Sequence, residues 1–177
     1  FGSAISSHIH AEGEYSNIYN YNEIVGKINT KALIIAGGLQ PTAIPDEMFN
    51  KYKSINIFIM GESEFVLNEI ANSNKIDLYN TPGIIYMKKD KIIKNNRQEI
   101  ISDLDNLPLY DYKIFDEQVF YRPYNGEVVK AIDYELSRGC IYTCSYCVET
   151  VIQNYYGFNE ASSNGVLLDA KKYLRNK

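Results

Sequence analysis

Three cysteines, Cys140, Cys144 and Cys147, lie in the stretch YELSRGCIYTCSYCVE, and the chain contains no other cysteine. Their spacing, C-x3-C-x2-C, puts three thiolate ligands on one short loop, and zinc and iron-sulfur centres prefer such ligands. The number is odd and we expect the chain to be cytoplasmic, so the cysteines do not indicate a disulfide framework. The pattern therefore indicates a metal centre on this loop.

The number of ligands separates the kinds of metal centre. A structural zinc site needs four ligands, and the two histidines, His8 and His10, are distant in sequence, so zinc would have to borrow one. A 4Fe-4S cluster held by three thiolates would keep its fourth iron open for chemistry. A third alternative is three core cysteines without any ligand, which the polar context of SRGC and CVET disfavours.

The composition and charge restrict the kinds of molecule that the chain is expected to bind. The chain has 177 residues, a net charge of -4 and 45% hydrophobic residues, as expected for a globular protein. Acids and bases are interspersed, and without a long basic run we do not expect nucleic acid as a partner. The longest apolar runs, KALIIAGG and INIFIM, are shorter than the roughly 20 residues that span a bilayer, so we expect no membrane partner either.

In the first part of the chain, well before the cysteine loop, predicted strands alternate with predicted helices. The segments SAIS, ALIIAGG and INIFIMG predict strands, and IYNYNEIVGKI, PDEMFNKY and ESEFVLNEIAN predict helices. Residues 32–36 and 55–60 are apolar on both faces, which is typical of parallel strands buried between helices. Pro45 and the carboxylates of Glu62 and Glu64 stand at predicted helix starts, where we interpret the two acids as capping groups.

A different pattern connects this α/β part to the loop. The segment PGIIYMKKDKIIKN predicts a hairpin that turns at residues 88–91, followed by an extended connector. A strand, AIDYEL, then leads into the cysteines, and helical stretches are predicted at 148–156 and 161–174. The chain starts at Phe1 inside an apolar run and stops inside a helical pattern, so we expect a piece of a longer polypeptide.

The cysteine loop carries a family resemblance. With SRG before it and the aromatic Tyr146 directly before the last cysteine, it resembles the cluster motif of the radical S-adenosylmethionine enzymes. The resemblance implies that Cys140, Cys144 and Cys147 hold a 4Fe-4S cluster, that the open iron chelates S-adenosylmethionine, and that Tyr146 belongs to the cofactor site. In that family an electron from the cluster splits the sulfonium to give a 5'-deoxyadenosyl radical. Ile141 stands where a proline is common, a change that we expect to be tolerated.

The front half carries a second resemblance. AGGLQPTAIPDEMFNKYKSINIFIMGESE is similar to the GGxHPT, PEE and GEGE segment of the cobalamin-binding domain that precedes the radical domain in one large subclass. The resemblance implies a cobalamin site in which Ser7, Gly37 and Gly38 contact the nucleotide tail. Glycine would let the backbone approach the bulky ligand.

A cobalt-ligating histidine is common in that subclass within a D-x-H-x-x-G pattern. HIHAEG places His10 and Gly13 at the right offsets, but His8 stands in the position of the aspartate. We interpret this match as coincidence, since the subclass carries its histidine before the serine and many members bind cobalamin without it.

These resemblances imply the following organisation. Residues 1–78 form an N-terminally truncated Rossmann-like (flavodoxin-like) parallel sheet, 79–130 a hairpin and connector, and 131–177 the cluster-bearing start of a C-terminally truncated TIM-like β/α barrel. The implied function is methyl transfer or related radical chemistry on an unactivated carbon of an unknown small molecule, with no turnover by this piece alone. The alternative is a non-catalytic metal-binding or interaction module. Exposed strand edges favour a homo-oligomer.

Overall fold

The computed structural model describes residues 17–28, 30–72, 80–132 and 134–177, which form a mixed α/β structure. The helices are α1 (Asn17–Gly26), α2 (Leu39–Ala43), α3 (Pro45–Lys51), α4 (Glu64–Asn72), α5 (Val148–Tyr156) and α6 (Ala170–Tyr173). The strands are β1 (Ile35–Gly38), β2 (Ile57–Met60), β3 (Ile84–Lys88), β4 (Lys91–Lys94), β5 (Tyr121–Tyr124), β6 (Glu127–Lys130), β7 (Ser137–Arg138) and β8 (Arg175–Asn176). Ser7, His8, His10, Gly13 and the predicted strand SAIS lie outside the described residues.

The main sheet has the strand order β1-β2-β3-β4. The parallel pairing of β1 with β2, in which Gly38 lies opposite Met60, confirms the prediction of parallel strands there. The prediction of a parallel sheet is incomplete, because the hairpin β3–β4 joins the same sheet with β3 antiparallel to β2. Ile84 and Ile85 are fully buried in this position, so pairing the hairpin with β2 removes apolar surface from water.

The core lies between this sheet and the helices that follow its strands. All four residues of β2 are buried, as the apolar run predicted. Phe49 of α3 meets Phe58 of β2 edge to face, with ring centroids 5.0 Å apart. Pro45 occupies the first turn of α3, where its missing N–H costs nothing.

Two tight turns close two hairpins. The turn between β3 and β4 holds Lys89 and Asp90 at positive φ, 46° and 61°, at the place predicted. The hairpin β5–β6 was missed, since an extended connector was expected there. Its turn uses Asn125 and Gly126 at φ 49° and 83°, and Asn-Gly between two strands is the sequence signal that predicts such a hairpin.

The part around the cysteines departs from the prediction in two places. The described residues of the segment 131–136 form no strand, and strand structure begins only at β7, which pairs antiparallel with β8. The predicted helix at 161–174 is wrong except for α6, because Gly165 takes a positive φ of 77° and a turn forms at residues 162–165. Helix α5 matches the predicted range and ends at the left-handed Gly157. The barrel stays a prediction.

No helix in the described ranges is both long enough and apolar enough to cross a membrane.

Candidate metal centre

The cysteine loop begins directly after β7. Gly139 adopts a φ of 93°, and a Cβ at this position would lie 2.2 Å from the backbone oxygen of Tyr173, so a side chain does not fit. Further along, the N–H of Leu167 donates to the oxygen of Ile141 at 2.9 Å, and the N–H of Thr143 donates to the oxygen of Gly165 at 3.1 Å. The first half of the loop, as far as Thr143, is therefore held by the segment that precedes α6.

The three cysteines are free thiols of intermediate exposure. The N–H of Tyr142 donates to Sγ of Cys140 at 3.4 Å, and the N–H of Cys147 donates to the backbone oxygen of Cys144 at 3.1 Å. Within the described residues, no three His, Cys, Asp or Glu side chains are gathered closely enough to hold a metal ion. The structure thus keeps the predicted ligands on one accessible loop, and their role as ligands stays a prediction.

The donor set itself fits a 4Fe-4S cluster. Three unpaired thiols on one loop match the three cluster ligands that leave one iron open, and Cys140 already accepts a backbone N–H of the kind that tunes cluster sulfurs.

The side chain of Gln153 forms hydrogen bonds with the backbone of the cysteine loop. It is fully buried on α5, and its Nε2 donates to the carbonyl oxygens of Cys140 at 3.1 Å and Tyr142 at 2.7 Å. Its Oε1 is buried without a partner in the described part of the chain. Only the amide nitrogen can face two carbonyls, because turning the amide over would set oxygen against oxygen.

Two further residues surround the second and third cysteines. The hydroxyl of Thr150, in the first turn of α5, donates to the backbone oxygen of Cys144 at 2.8 Å. Tyr146 is 90% exposed, and a hydrogen bond with the side chain of Cys144 raises the pKa of its phenol. Tyr146 therefore stands beside the thiols and packs against no core.

A buried ion-pair network joins the loop to the main sheet. Glu62, just beyond β2, accepts from NH1 of Arg175 at 2.8 Å and 2.9 Å, from NH1 of Arg138 at 3.2 Å, and from the N–H of Ile101 at 2.7 Å. Glu64 accepts from NH2 of Arg138 at 2.6 Å. The capping interpretation is wrong for Glu62, because both of its oxygens bind groups outside α4.

Arg138 occupies the centre of this network. Its guanidinium also donates from Nε to Glu135 at 2.8 Å. Burial disfavours the charged guanidinium, but the hydrogen bonds to Glu64 and Glu135 outweigh this effect and raise the pKa of Arg138 above its ordinary value. The side chain therefore remains a cation with its donors directed at three carboxylates.

Helix α5 makes a second connection between the loop and β2. The N–H of Glu62 donates to the phenolic oxygen of Tyr156 at 2.7 Å. Burial raises the pKa of the Tyr156 phenol, so the group stays neutral in this interface. Helix α5 also packs against α2, which follows Gly38 directly.

The predicted cobalamin glycines lie at the same edge of the sheet. Gly37 and Gly38 end β1, and Gly38 has a φ of 113° with no atom within 4 Å of where a Cβ would stand. The hydroxyl of Thr42 donates to the oxygen of Gly38 and accepts from the N–H of Gly61, both at 2.7 Å. The structure thus brings Gly37 and Gly38 next to the strand end that is followed by Glu62. The sequence analysis did not connect the glycine pair with this carboxylate.

Sequence reasoning missed four residues of this arrangement: Arg138, Gln153, Tyr156 and Arg175. The sequence did contain a signal for Arg138. An arginine two residues before a cysteine and a pair of acids after a strand, Glu62 and Glu64, are charges that need partners if they are buried. The others had none that differed from ordinary helix or terminal residues.

Comparison with known proteins shows that the chain is similar in sequence to a group of curated enzymes. It is 29% identical over 117 residues to the anaerobic magnesium-protoporphyrin IX monomethyl ester cyclase of Synechocystis sp., covering 65% of this chain and 23% of the cyclase. The cyclase of Cereibacter sphaeroides is 24% identical over 131 residues, 71% of this chain and 21% of its own length. The chain is a homologue of these cyclases. It spans less than a quarter of their length, and the homology confirms the family resemblance that the motifs indicated.

A solved structure also matches a large part of the chain. The radical S-adenosylmethionine methyltransferase TsrM from Kitasatospora setae, with cobalamin and a [4Fe-4S] cluster bound, matches with a TM-score of 0.49 and 22% identity, over 76% of this chain and 28% of that one. No protein-family model matches the chain.

Proposed function

We propose that this cyclase homologue is the part of a radical S-adenosylmethionine enzyme in which a cobalamin-binding sheet meets the loop that binds the 4Fe-4S cluster. Cys140, Cys144 and Cys147 would hold the cluster, with S-adenosylmethionine on the open iron beside Tyr146. Ser7, Gly37 and Gly38 would face cobalamin. When bound, these groups would supply radical chemistry on an unactivated carbon, with methyl transfer as one outcome.

One observation supports this proposal most directly. The segment at the end of β2 contacts both candidate sites. The N–H of Gly61 donates to the hydroxyl of Thr42, which itself donates to the oxygen of Gly38. The next residue, Glu62, accepts from Arg138, two positions before Cys140. Two cofactors that act on one substrate need adjacent sites from which water is excluded. The packing of α2 on α5 supports the proposal, because it brings the two candidate sites to one part of the molecule.

The residues around the loop have separable tasks in this proposal. Gln153 and Thr150 hold carbonyl oxygens of the loop, which orients the thiols without using them. Gly139 allows the chain to leave β7 close to the Tyr173 backbone. Gln153 and Thr150 hold the loop from helix α5, a regular element of the kind that a cofactor site requires.

Anaerobic reconstitution of the chain with iron and sulfide tests the proposal. After reduction, electron paramagnetic resonance spectra are recorded with and without S-adenosylmethionine. We expect a reduced-cluster signal that shifts when S-adenosylmethionine is added, because the cofactor then chelates the open iron. Stoichiometric zinc, or no bound metal, would contradict the proposal.

We expect no turnover from this chain alone, since it spans less than a quarter of its relatives. The measurement is 5'-deoxyadenosine formed by the reconstituted chain, compared with free cluster in buffer. Production above that background would show that the chain is sufficient for cleavage.

A further inference from the structure

Both ends of the cysteine loop are fixed to one residue, Glu62, which lies just beyond β2. At the start, Arg138 lies two positions before Cys140 and binds the side chain of Glu62 at 3.2 Å. At the end, α5 begins directly after Cys147, and its last residue, Tyr156, accepts the backbone N–H of Glu62 at 2.7 Å. The two attachments use different atoms of Glu62, so either can be removed separately.

The attachment through Arg138 is directional and shielded from water. The side chains of Glu62 and Arg138 are only 12% and 15% exposed. The planar guanidinium donates to three carboxylates, those of Glu62, Glu64 and Glu135, which fixes its orientation as a single ammonium group would not. Because β7 is only two residues long, this network contributes much of what holds the approach to Cys140.

We propose that Glu62 and Arg138 are positioning residues that fix the start of the cysteine loop against the carboxyl edge of β1 and β2. The consequence for catalysis, a set separation between the cluster and cobalamin, rests on the proposed function. The fixing of the loop does not, because it is a property of the chain without cofactors.

Thiol alkylation of the metal-free, reduced full chain tests the proposal. Glu62→Gln, Arg138→Met and the double variant are treated with iodoacetamide under anaerobic conditions, and the alkylation rate of each cysteine is followed by peptide mass spectrometry. We expect the rate at Cys140 to rise roughly tenfold in each single variant, with a smaller change at Cys147, which α5 still holds. At Cys140 the double variant should add little to Arg138→Met, because the link between Arg138 and Glu62 is already broken in that single variant.

The matched control is Asp46→Asn, which removes the exposed ion pair between Asp46 and Lys94 of the same sheet. It should leave all three alkylation rates unchanged. Arg138→Lys keeps the positive charge but lacks the planar guanidinium. Its Cys140 should therefore be alkylated more slowly than Cys140 of Arg138→Met. A purely structural role would instead raise all three rates together, and that result, or unchanged rates in folded variants, overturns the proposal.

Glu64→Gln keeps the test decisive if the other variants do not fold. Glu64 is 39% exposed, and within the described residues its ion pair is with Arg138. Loss of this carboxylate should destabilise the chain only mildly and should still raise the alkylation rate most at Cys140. Unchanged alkylation in this folded variant would overturn the proposal as well. The proposed function is tested separately: a chain that binds no cluster but shows selective exposure of Cys140 would refute that function and support the positioning role.

Discussion

Glu62 binds Arg175 through both of its carboxylate oxygens, at 2.8 Å and 2.9 Å from NH1, although the two residues are 113 positions apart in the chain. The same NH1 also donates to the backbone oxygen of Ile101 at 2.6 Å. The side chains of Arg175 and Glu62 are 7% and 12% exposed. This buried pair connects the last strand to the end of β2.

Removing the cation of Arg175 should therefore destabilise the folded chain. Arg175→Met leaves the carboxylate of Glu62 buried with less compensation, and we expect a loss of about 3–5 kcal/mol in the free energy of unfolding, measured by urea titration followed by circular dichroism. The control is Lys130→Met, which breaks the exposed pair with Glu117 and should leave the midpoint unchanged. Equal midpoints for the two variants would contradict the importance of the buried pair.

Gln153→Glu tests how the loop is held. The substitution keeps the shape of the side chain but replaces the amide donor facing Cys140 and Tyr142 by a carboxylate oxygen. We expect a loss of roughly 1–3 kcal/mol in stability and a lower iron content after reconstitution. Asn154→Asp, exposed on the same helix, is the matched control and should bind iron as the unchanged chain does. Full iron content in Gln153→Glu would refute the holding role.

Cys144→Ala tests the ligand assignment. We expect the brown chromophore of the reconstituted chain to disappear, because two thiolates on the loop leave a second iron without its ligand. Absorbance and iron content are the measurements. A variant that keeps its colour and full iron content would show that Cys144 is not a ligand.

Gly38→Ala tests the cobalamin site. A residue other than glycine at a φ of 113° should cost roughly 1–3 kcal/mol, and the added methyl group would point into the open space where we place cobalamin. We expect hydroxocobalamin to raise the melting temperature of the unchanged chain but not of this variant. Gly126→Ala is a matched control, because its φ is 83° and the space around it is equally open, in the remote turn of β5–β6. It should keep the cobalamin-induced shift, and loss of the shift in both variants would remove the support for Gly38.

Alkaline pH should weaken the packing around α6. Burial raises the pKa of the Tyr173 phenol, and its hydrogen bond to Glu149 raises it further. The folded chain therefore holds this proton more tightly than the unfolded chain, so the stabilisation is complete below the ordinary tyrosine pKa and is lost as the pH rises past about 10. Tyr173→Phe should show a flatter decline of melting temperature between about pH 9 and 11. Tyr124→Phe, on the exposed β5–β6 hairpin, should keep the original profile; identical profiles for both variants would be the contrary result.

The sequence by itself determined the features that depend on neighbouring residues. The cysteine spacing fixed which side chains share a loop, helix α5 ran over the predicted residues because Gly157 ends it, and the apolar runs of β1 and β2 indicated a parallel pair. The prediction that both strands are buried is correct only for β2, because β1 is partly exposed and Leu33 before it is exposed. In each case the signal and the structure lie within a few residues of one another, where periodicity and turn chemistry act.

Only the tertiary structure decided how these pieces meet. The partners of the Glu62 side chain lie 39, 76 and 113 positions away, and no local pattern separates a capping carboxylate from one that binds distant arginines. The short pairing of β7 with β8 and the insertion of Gln153 beneath the loop depend likewise on contacts across the chain. Burial of apolar surface brings these distant segments together, and the pairing of their charges follows from that packing.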